Sequence, residues 1–255
     1  MKVVLLAGGL GTRLREETEF RPKPMVDVGG RPILWHIMNR YAKYGYKDFI
    51  ICTGYRGDFI RRYFLDFRAM TTDFTISMEG EGVVSYHDIL SEREWRVTIC
   101  DTGPDTPTGG RILKIQDHVG DESFLCTYGD GLSDVNHDAV VASHRAHGTM
   151  ATVTAVRPVT RFGVLEMDEL GRVHDFREKS DVEGWINAGF FVFEPEVFTY
   201  LREDSVLEHE PLEALAHEGQ LQAYQHDGFF QPMDTYRDFT LLNDMWNTGR
   251  APWSR

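Results

Sequence analysis

Cysteine is scarce: three residues, Cys52, Cys100 and Cys126, in a chain of 255. An odd number with no CxxC pair excludes a disulfide-stapled scaffold and offers no metal or redox pair, so each reads as a buried thiol within an apolar stretch. Long apolar runs are lacking too. No segment approaches the ~20 apolar residues that span a bilayer, and the amino terminus has no signal-peptide pattern, which predicts a cytosolic (cytoplasmic) protein without membrane association. Positive charge is in short supply: 27 Lys plus Arg face 40 Asp plus Glu, a net charge of −13. That balance repels polyanions and argues against nucleic-acid binding through a broad basic face, so any bound anion needs a local basic pocket. Repeats, low-complexity tracts and Pro/Gly/Ser linkers are also missing, and with 42% hydrophobic residues the span 1–255 reads as one domain.

What is present is an alternation of strand and helix patterns. Val3 to Ala7 is short, continuous and β-branched at its start, as a strand buried on both faces must be. After Pro32 the residues Ile33, Leu34, Ile37, Met38, Tyr41 and Ala42 recur at helical spacing, with Gly45 as the stop. "DFIICTG" (48–54), a helix over 58–67, "RVTICDTG" (96–103), a helix near 111–119, "FLCTYGDG" (124–131) and a helix from about 138 to 147 continue the rhythm. Such alternation predicts an α/β fold with a mainly parallel central sheet covered by helices. From "ATVTAV" (151–156) onward, strand-like segments with short turns predict a mixed or antiparallel extension, followed by helices near 196–202, 208–218 and 235–248. Residues 80–95 are the least regular and read as an excursion from the sheet. His144 and His147 lack a carboxylate or cysteine to complete a zinc set and read as a solvated helix face.

The first strand runs into "LLAGGLGTRL" (5–14). A strand-to-helix loop in a parallel sheet lies at its carboxyl edge, and glycines there let backbone N–H groups approach an anion, so this loop reads as a phosphate site. Gly9, Gly11 and Leu14 give GxGxxL, which departs from the dinucleotide fingerprint, and no Lys-Ser or Lys-Thr follows Gly11 as an ATPase P-loop requires. Arg13 distinguishes the loop: a permanently charged guanidinium can grip phosphate oxygens in pairs, which suits a triphosphate whose pyrophosphate leaves. Lys23 stands between Pro22 and Pro24, a restricted setting that presents its ammonium reproducibly. Asp130 ends the strand in "TYGDG" and reads either as a turn former or as a metal ligand; Asp234 in "PMDT" reads either as a helix N-cap or as a metal ligand.

"LLAGGLGTRL" with "RPKPM" resembles the sugar-1-phosphate nucleotidyltransferases, and "ILWHIM", "TYGDG" and "QPMDT" point to their cytidylyl branch. The resemblance implies a Rossmann-like nucleotidyltransferase fold and transfer of a cytidylyl group from CTP to α-D-glucose 1-phosphate, giving CDP-glucose and pyrophosphate. In that chemistry the sugar phosphate is the nucleophile, and the protein aligns two anions and neutralises their charge. Arg13, Lys23 and Asp130 are the implied catalytic residues. Leu6, Ala7, Gly8, Gly9, Gly11, Thr12, Arg13, Lys23, Thr106, Arg111 and Gly129 are the implied nucleotide contacts, the base lying near Leu6, Ala7 and the segment 106–111. Asp130 and Asp234 match the family's Mg²⁺ ligands, and Glu178, Lys179, Asn187 and Gly189 its sugar-phosphate side, with Ala188 where glycine is usual and hence a tighter sugar pocket. A homo-oligomer of six copies is also implied, with residues 80–95 reaching a neighbour. Two alternatives stay open: the same chemistry on another nucleotide or sugar 1-phosphate, such as dTTP, UTP or mannose 1-phosphate, and a non-catalytic regulatory subunit that binds nucleotide sugar.

Overall fold

The run VVLLA forms strand β1, Val3–Ala7, and all five residues are buried. Its side chains alternate between faces: Val3, Leu5 and Ala7 join one apolar cluster, Val4 and Leu6 a second. The same division runs through the neighbouring strands, so the sheet separates two cores and both faces are covered. The computed structural model describes residues 1–11, 14, 18–79, 82–87, 92–157, 164–167, 172–177 and 184–255.

Among the described residues seven strands build the sheet: β1, β2 (Asp48–Thr53), β3 (Arg96–Asp101), β4 (Phe124–Tyr128), β5 (Ala151–Val156), β6 (Ile186–Phe193) and β7 (Leu221–His226). They lie in the order β7-β5-β6-β4-β1-β2-β3. β1 is parallel to β2 and β4, β2 to β3, and β5 to β7. Among the described strands of this sheet β6 alone runs antiparallel to its neighbours, β4 and β5. The antiparallel segment expected after residue 156 is therefore inserted into the middle of the sheet rather than added at its edge. A separate ladder pairs Val164–Met167 with Val173–Arg177.

β7 has no counterpart in the sequence reading. It is an edge strand, half-exposed along its length, so "LQAYQH" carries no continuous apolar run to announce it. The helix expected at 111–119 is two short ones, α2 (Thr108–Leu113) and a turn at Gln116–Val119.

Helix ends follow their local chemistry. α1 (Ile33–Lys43) packs Ile33, Leu34, Ile37, Met38 and Tyr41 inward. It closes with Tyr46 N–H donating to Tyr41 O (3.2 Å) and Gly45 N–H to Ala42 O (3.0 Å), while Gly45 takes φ +85°. That is a Schellman close, and only glycine adopts its left-handed residue without strain. α3 (His137–His147) starts on the Asn136 side chain, which accepts from Ala139 N. α4 (Tyr236–Asn247) starts on a capping box of Thr235 and Asp238.

His144 corrects one expectation. It does not lie on a solvated face: it is 1% exposed, with Nδ1 2.9 Å from Thr152 Oγ1 and Nε2 2.9 Å from Glu194 Oε1. The covering strand β5 supplies Thr152, and helical spacing alone cannot foretell that contact. His147 is exposed. Cys52 and Cys126 are buried, Cys100 half-buried, and all three are free thiols. Burial pushes the Cys52 thiol up to about 12, too high for a thiolate nucleophile at neutral pH. Among the described residues no helix is long and apolar enough to cross a membrane.

Candidate active site at the sheet switch point

The chain leaves β1 outward through β2 and β3, then returns to place β4 on the other side of β1. Loops from β1 and β4 therefore leave their carboxyl ends in opposite directions, and a crevice opens between them. A cavity of ≈ 360 Å³ lies there, lined by Leu6, Ala7, Gly8, Gly9 and Gly11 after β1 and by Tyr128, Gly129 and Asp130 after β4. Lys23, Pro24, Asp234 and the segment Thr106, Pro107, Thr108 and Arg111 complete the wall.

Lys23 opens a short 3-10 turn, Lys23–Met25, after the extended Pro22 (φ −68°, ψ 148°). Its side chain is only 10% exposed, and its ammonium donates to Asp130 Oδ2 (2.6 Å) and Asp234 Oδ1 (2.7 Å). Burial lowers the Lys23 pKa, but the charges and hydrogen bonds of Asp130 and Asp234 together outweigh it and raise the pKa above the usual lysine value. Thr235 takes the N-cap of α4, so the Asp234 carboxylate is turned to the cavity instead of to the helix end.

Two carboxylates thus converge on one point that is already favourable to a cation. Among the described residues no set of three His, Cys, Asp or Glu side chains gathers around a common centre. Mg²⁺ does not need one: it is commonly held by one or two carboxylates together with water and substrate phosphate oxygens. The all-oxygen pair Asp130 and Asp234 fits that habit.

Arg111, 4% exposed, is held by four backbone oxygens and the Thr102 hydroxyl. Nη1 donates to Thr102 Oγ1 (2.7 Å), Gly103 O (2.7 Å) and Thr53 O (3.2 Å), and Nη2 to Gly8 O (3.1 Å) and Pro104 O (3.1 Å). Desolvation lowers its pKa, with Cys52, Asp101 and Asp105 opposing. The guanidinium ties the carboxyl ends of β1, β2 and β3 together. A Cβ on Gly8 would lie 2.2 Å from Arg111 Nη1, so this glycine is required by the close approach.

A second cavity of ≈ 340 Å³ adjoins the first, with Tyr128, Asp130 and Asp234 on both walls and Asn187 and Ala188 from β6 on its own. Asn187 Oδ1 accepts from Gly189 N–H at 2.7 Å. Gly189 itself sits behind the Tyr128 ring, at φ +79°, where a Cβ would lie 2.2 Å from Tyr128 Cδ2.

Of the expected nucleotide and metal residues, Leu6, Ala7, Gly8, Gly9, Gly11, Lys23, Thr106, Arg111, Gly129, Asp130 and Asp234 share the first cavity. Thr12, Arg13, Glu178 and Lys179 lie outside the described residues. Sequence reasoning did not single out Tyr128 or Glu208. Tyr128 stands one residue before Gly129 and could have been found by that adjacency; Glu208 is 80 residues further on and carries no local signal.

The family model described as "Nucleotidyl transferase" matches residues 2–248. A glucose-1-phosphate cytidylyltransferase of Salmonella typhi is 48% identical over 256 residues, covering 99% of this chain and 98% of that one. Its counterpart in Salmonella typhimurium is also 48% identical with the same coverage. Among solved structures, a UDP-glucose pyrophosphorylase complexed with UDP-glucose superposes with a TM-score of 0.69 at 18% identity, covering 98% of this chain and 99% of that one. At that identity the likeness bears on the fold.

Proposed function

Because the chain belongs to the nucleotidyl transferase family, we propose that it transfers the cytidylyl group of CTP to α-D-glucose 1-phosphate, giving CDP-glucose and pyrophosphate. The observation that carries the chemistry is the Lys23, Asp130 and Asp234 cluster on the wall of the switch-point cavity. A phosphate oxygen of the sugar attacks the α-phosphorus, one P–O bond forms, and the bond to the departing pyrophosphate breaks. The substrate brings its own nucleophile, so positioning and charge neutralisation are the protein's share.

The glycine loop, with Thr12 and Arg13, is assigned to the triphosphate, and Lys23 adds a fixed positive charge beside it. Gly8 is held in place by Arg111, which gives the loop a rigid base. Leu6, Ala7, Thr106, Arg111 and Gly129 are assigned to the nucleoside. Asp130 and Asp234 would hold Mg²⁺, whose charge lowers the repulsion between the two phosphate groups. Glu178, Lys179, Asn187 and Gly189 are assigned to the sugar-phosphate side, an assignment supported for Asn187 by its place on the wall of the adjoining cavity.

We also propose that the chain acts in the cytoplasm as one domain and as a homo-oligomer, with six copies as the expected assembly. Phe74, Ile76 and Val84 of the Phe74–Ile76/Val84–Tyr86 hairpin are 44%, 48% and 40% exposed, an apolar face suited to a second copy. Light scattering on the purified protein measures the number.

The central test is a panel of nucleoside triphosphates against sugar 1-phosphates, read by pyrophosphate release. CTP with glucose 1-phosphate is expected to give the highest kcat/KM. A preference for UTP or dTTP refutes the cytidylyl assignment, and the absence of pyrophosphate release with every pair refutes catalysis.

A further inference from the structure

Among the described residues three that carry a side-chain hydroxyl line the switch-point cavity, Thr106, Thr108 and Tyr128, and each has its proton committed elsewhere. Thr106 Oγ1 donates to Thr102 O at 2.5 Å. Thr108 Oγ1 donates to Glu208 Oε2 at 2.8 Å, and the Tyr128 phenol donates to Glu208 Oε1. A hydroxyl has one proton and two lone pairs, so once its proton is given it can only accept. The threonines also receive one bond each, Thr106 from Lys114 Nζ (3.1 Å) and Thr108 from Leu207 N–H (2.9 Å). On these three residues of the wall, the lone pairs that remain on the hydroxyls can therefore only accept.

Glu208 is responsible for two of the three. It precedes the helix Glu210–His217 and reaches β4 and α2 from 80 and 100 residues away. An ionised carboxylate is acceptor-only, so it offers no proton in return and leaves neither hydroxyl a choice of direction. A glutamine could not do this: its amide would donate to one hydroxyl, whose own proton would then turn to the cavity.

We propose that Glu208 is a positioning residue for base selection, which orients the Tyr128 and Thr108 hydroxyls so that the wall accepts from a pyrimidine's exocyclic amine and disfavours a pyrimidine carrying a carbonyl there. The inference rests on the cytidylyl reading above. Cytosine presents an amine at that ring position. Uracil and thymine present a carbonyl, and their one ring N–H is flanked by carbonyls on both sides, so an acceptor wall always meets an opposing lone pair. Leaving a buried polar group facing a like partner is what gives hydrogen-bonded sites their strong discrimination.

The test measures kcat/KM for CTP and for UTP, with glucose 1-phosphate as the second substrate, on the full chain and its Glu208→Gln and Tyr128→Phe variants. Glu208→Gln should lower the CTP to UTP ratio roughly tenfold or more, by a gain for UTP as well as a loss for CTP. Tyr128→Phe removes the acceptor oxygen together with its opposition to a carbonyl, and should lower kcat/KM for CTP relative to that for UTP; it carries the test if the glutamine variant does not fold. Melting temperatures identify variants that have lost the fold. Equal losses for both nucleotides in the folded variants assign Glu208 a purely structural role and overturn the proposal. A wild-type preference for UTP overturns both this inference and the cytidylyl reading, whereas a CTP preference that survives Glu208→Gln overturns this inference alone.

Discussion

Lys23→Met removes the ammonium that bonds both Asp130 and Asp234, and the consequence for stability follows from the geometry. The ammonium sits 2.6 Å from one carboxylate and 2.7 Å from the other. Without it, two carboxylate oxygens face each other at no more than about 5 Å, which at an effective dielectric of about 20 amounts to roughly 3 kcal/mol of repulsion. The carboxylate side chains are 31% and 28% exposed, so water screens part of this and about 1–2 kcal/mol remains. For a chain of this size that corresponds to a melting temperature about 3–6 °C lower in metal-free buffer. Differential scanning fluorimetry with and without MgCl₂ reads the outcome, and Mg²⁺ should raise the variant's melting temperature more than the wild type's. Asp130→Asn is the control: Lys23 keeps Asp234, the two-anion repulsion is gone, and the metal-free melting temperature should stay within about 2 °C of wild type. Turnover should fall roughly 10²–10³-fold in both, since each loses a fixed charge at the reacting phosphates. An unchanged or raised melting temperature for Lys23→Met in metal-free buffer, or an equal Mg²⁺ response in variant and wild type, refutes the reasoning.

Gly189→Ala forces a side chain into a left-handed backbone at φ +79° and places its Cβ 2.2 Å from Tyr128 Cδ2. Strain and displacement of the ring together should cost about 2–4 kcal/mol, read as a lower urea midpoint; a midpoint equal to wild type contradicts the packing described for Tyr128. Stability should also fall with acid. Desolvation lowers the pKa of His36 to about 4, with Arg31 adding to it, and that of His137 to about 3, with Arg40 and His226 adding. Between pH 6.5 and those values the unfolded chain binds a proton at each site that the folded chain does not, so stability is complete above pH 6.5 and declines below it, by up to about 1.4 kcal/mol per pH unit for each histidine. Urea unfolding of wild type and His137→Asn between pH 7.5 and 5 tests this: the variant's slope should be shallower, and identical slopes refute the assignment.

Much of the fold was legible because its central strands are buried on both faces. VVLLA, DFIICT and FLCTY are nearly continuous apolar runs, and that burial is written directly in the residues. The edge strand Leu221–His226 is half-exposed and mixed in character, so the same logic passes over it. The insertion of Ile186–Phe193 between β4 and β5 was not legible either. Its apolar pattern suits any central position, and direction is chosen by the loops and the register of its neighbours. His144 shows the limit for single side chains: its burial depends on Thr152 and Glu194, 8 and 50 residues away.

The sequence by itself determined the local chemistry: a glycine loop directly behind a buried strand, a lysine braced by two prolines, and an aspartate at a strand's carboxyl end. These depend on a few adjacent residues and on backbone preferences that need no partner. Only the tertiary structure decided that Lys23 meets Asp130 and Asp234 across 107 and 211 residues, and that Glu208 reaches Tyr128 and Thr108. Which hydroxyl gives its proton to which acceptor is a property of distance and direction in three dimensions, and no spacing along the chain encodes it. On the proposed reading, phosphate binding is announced by sequence, while the choice of base rests on a contact that folding alone creates.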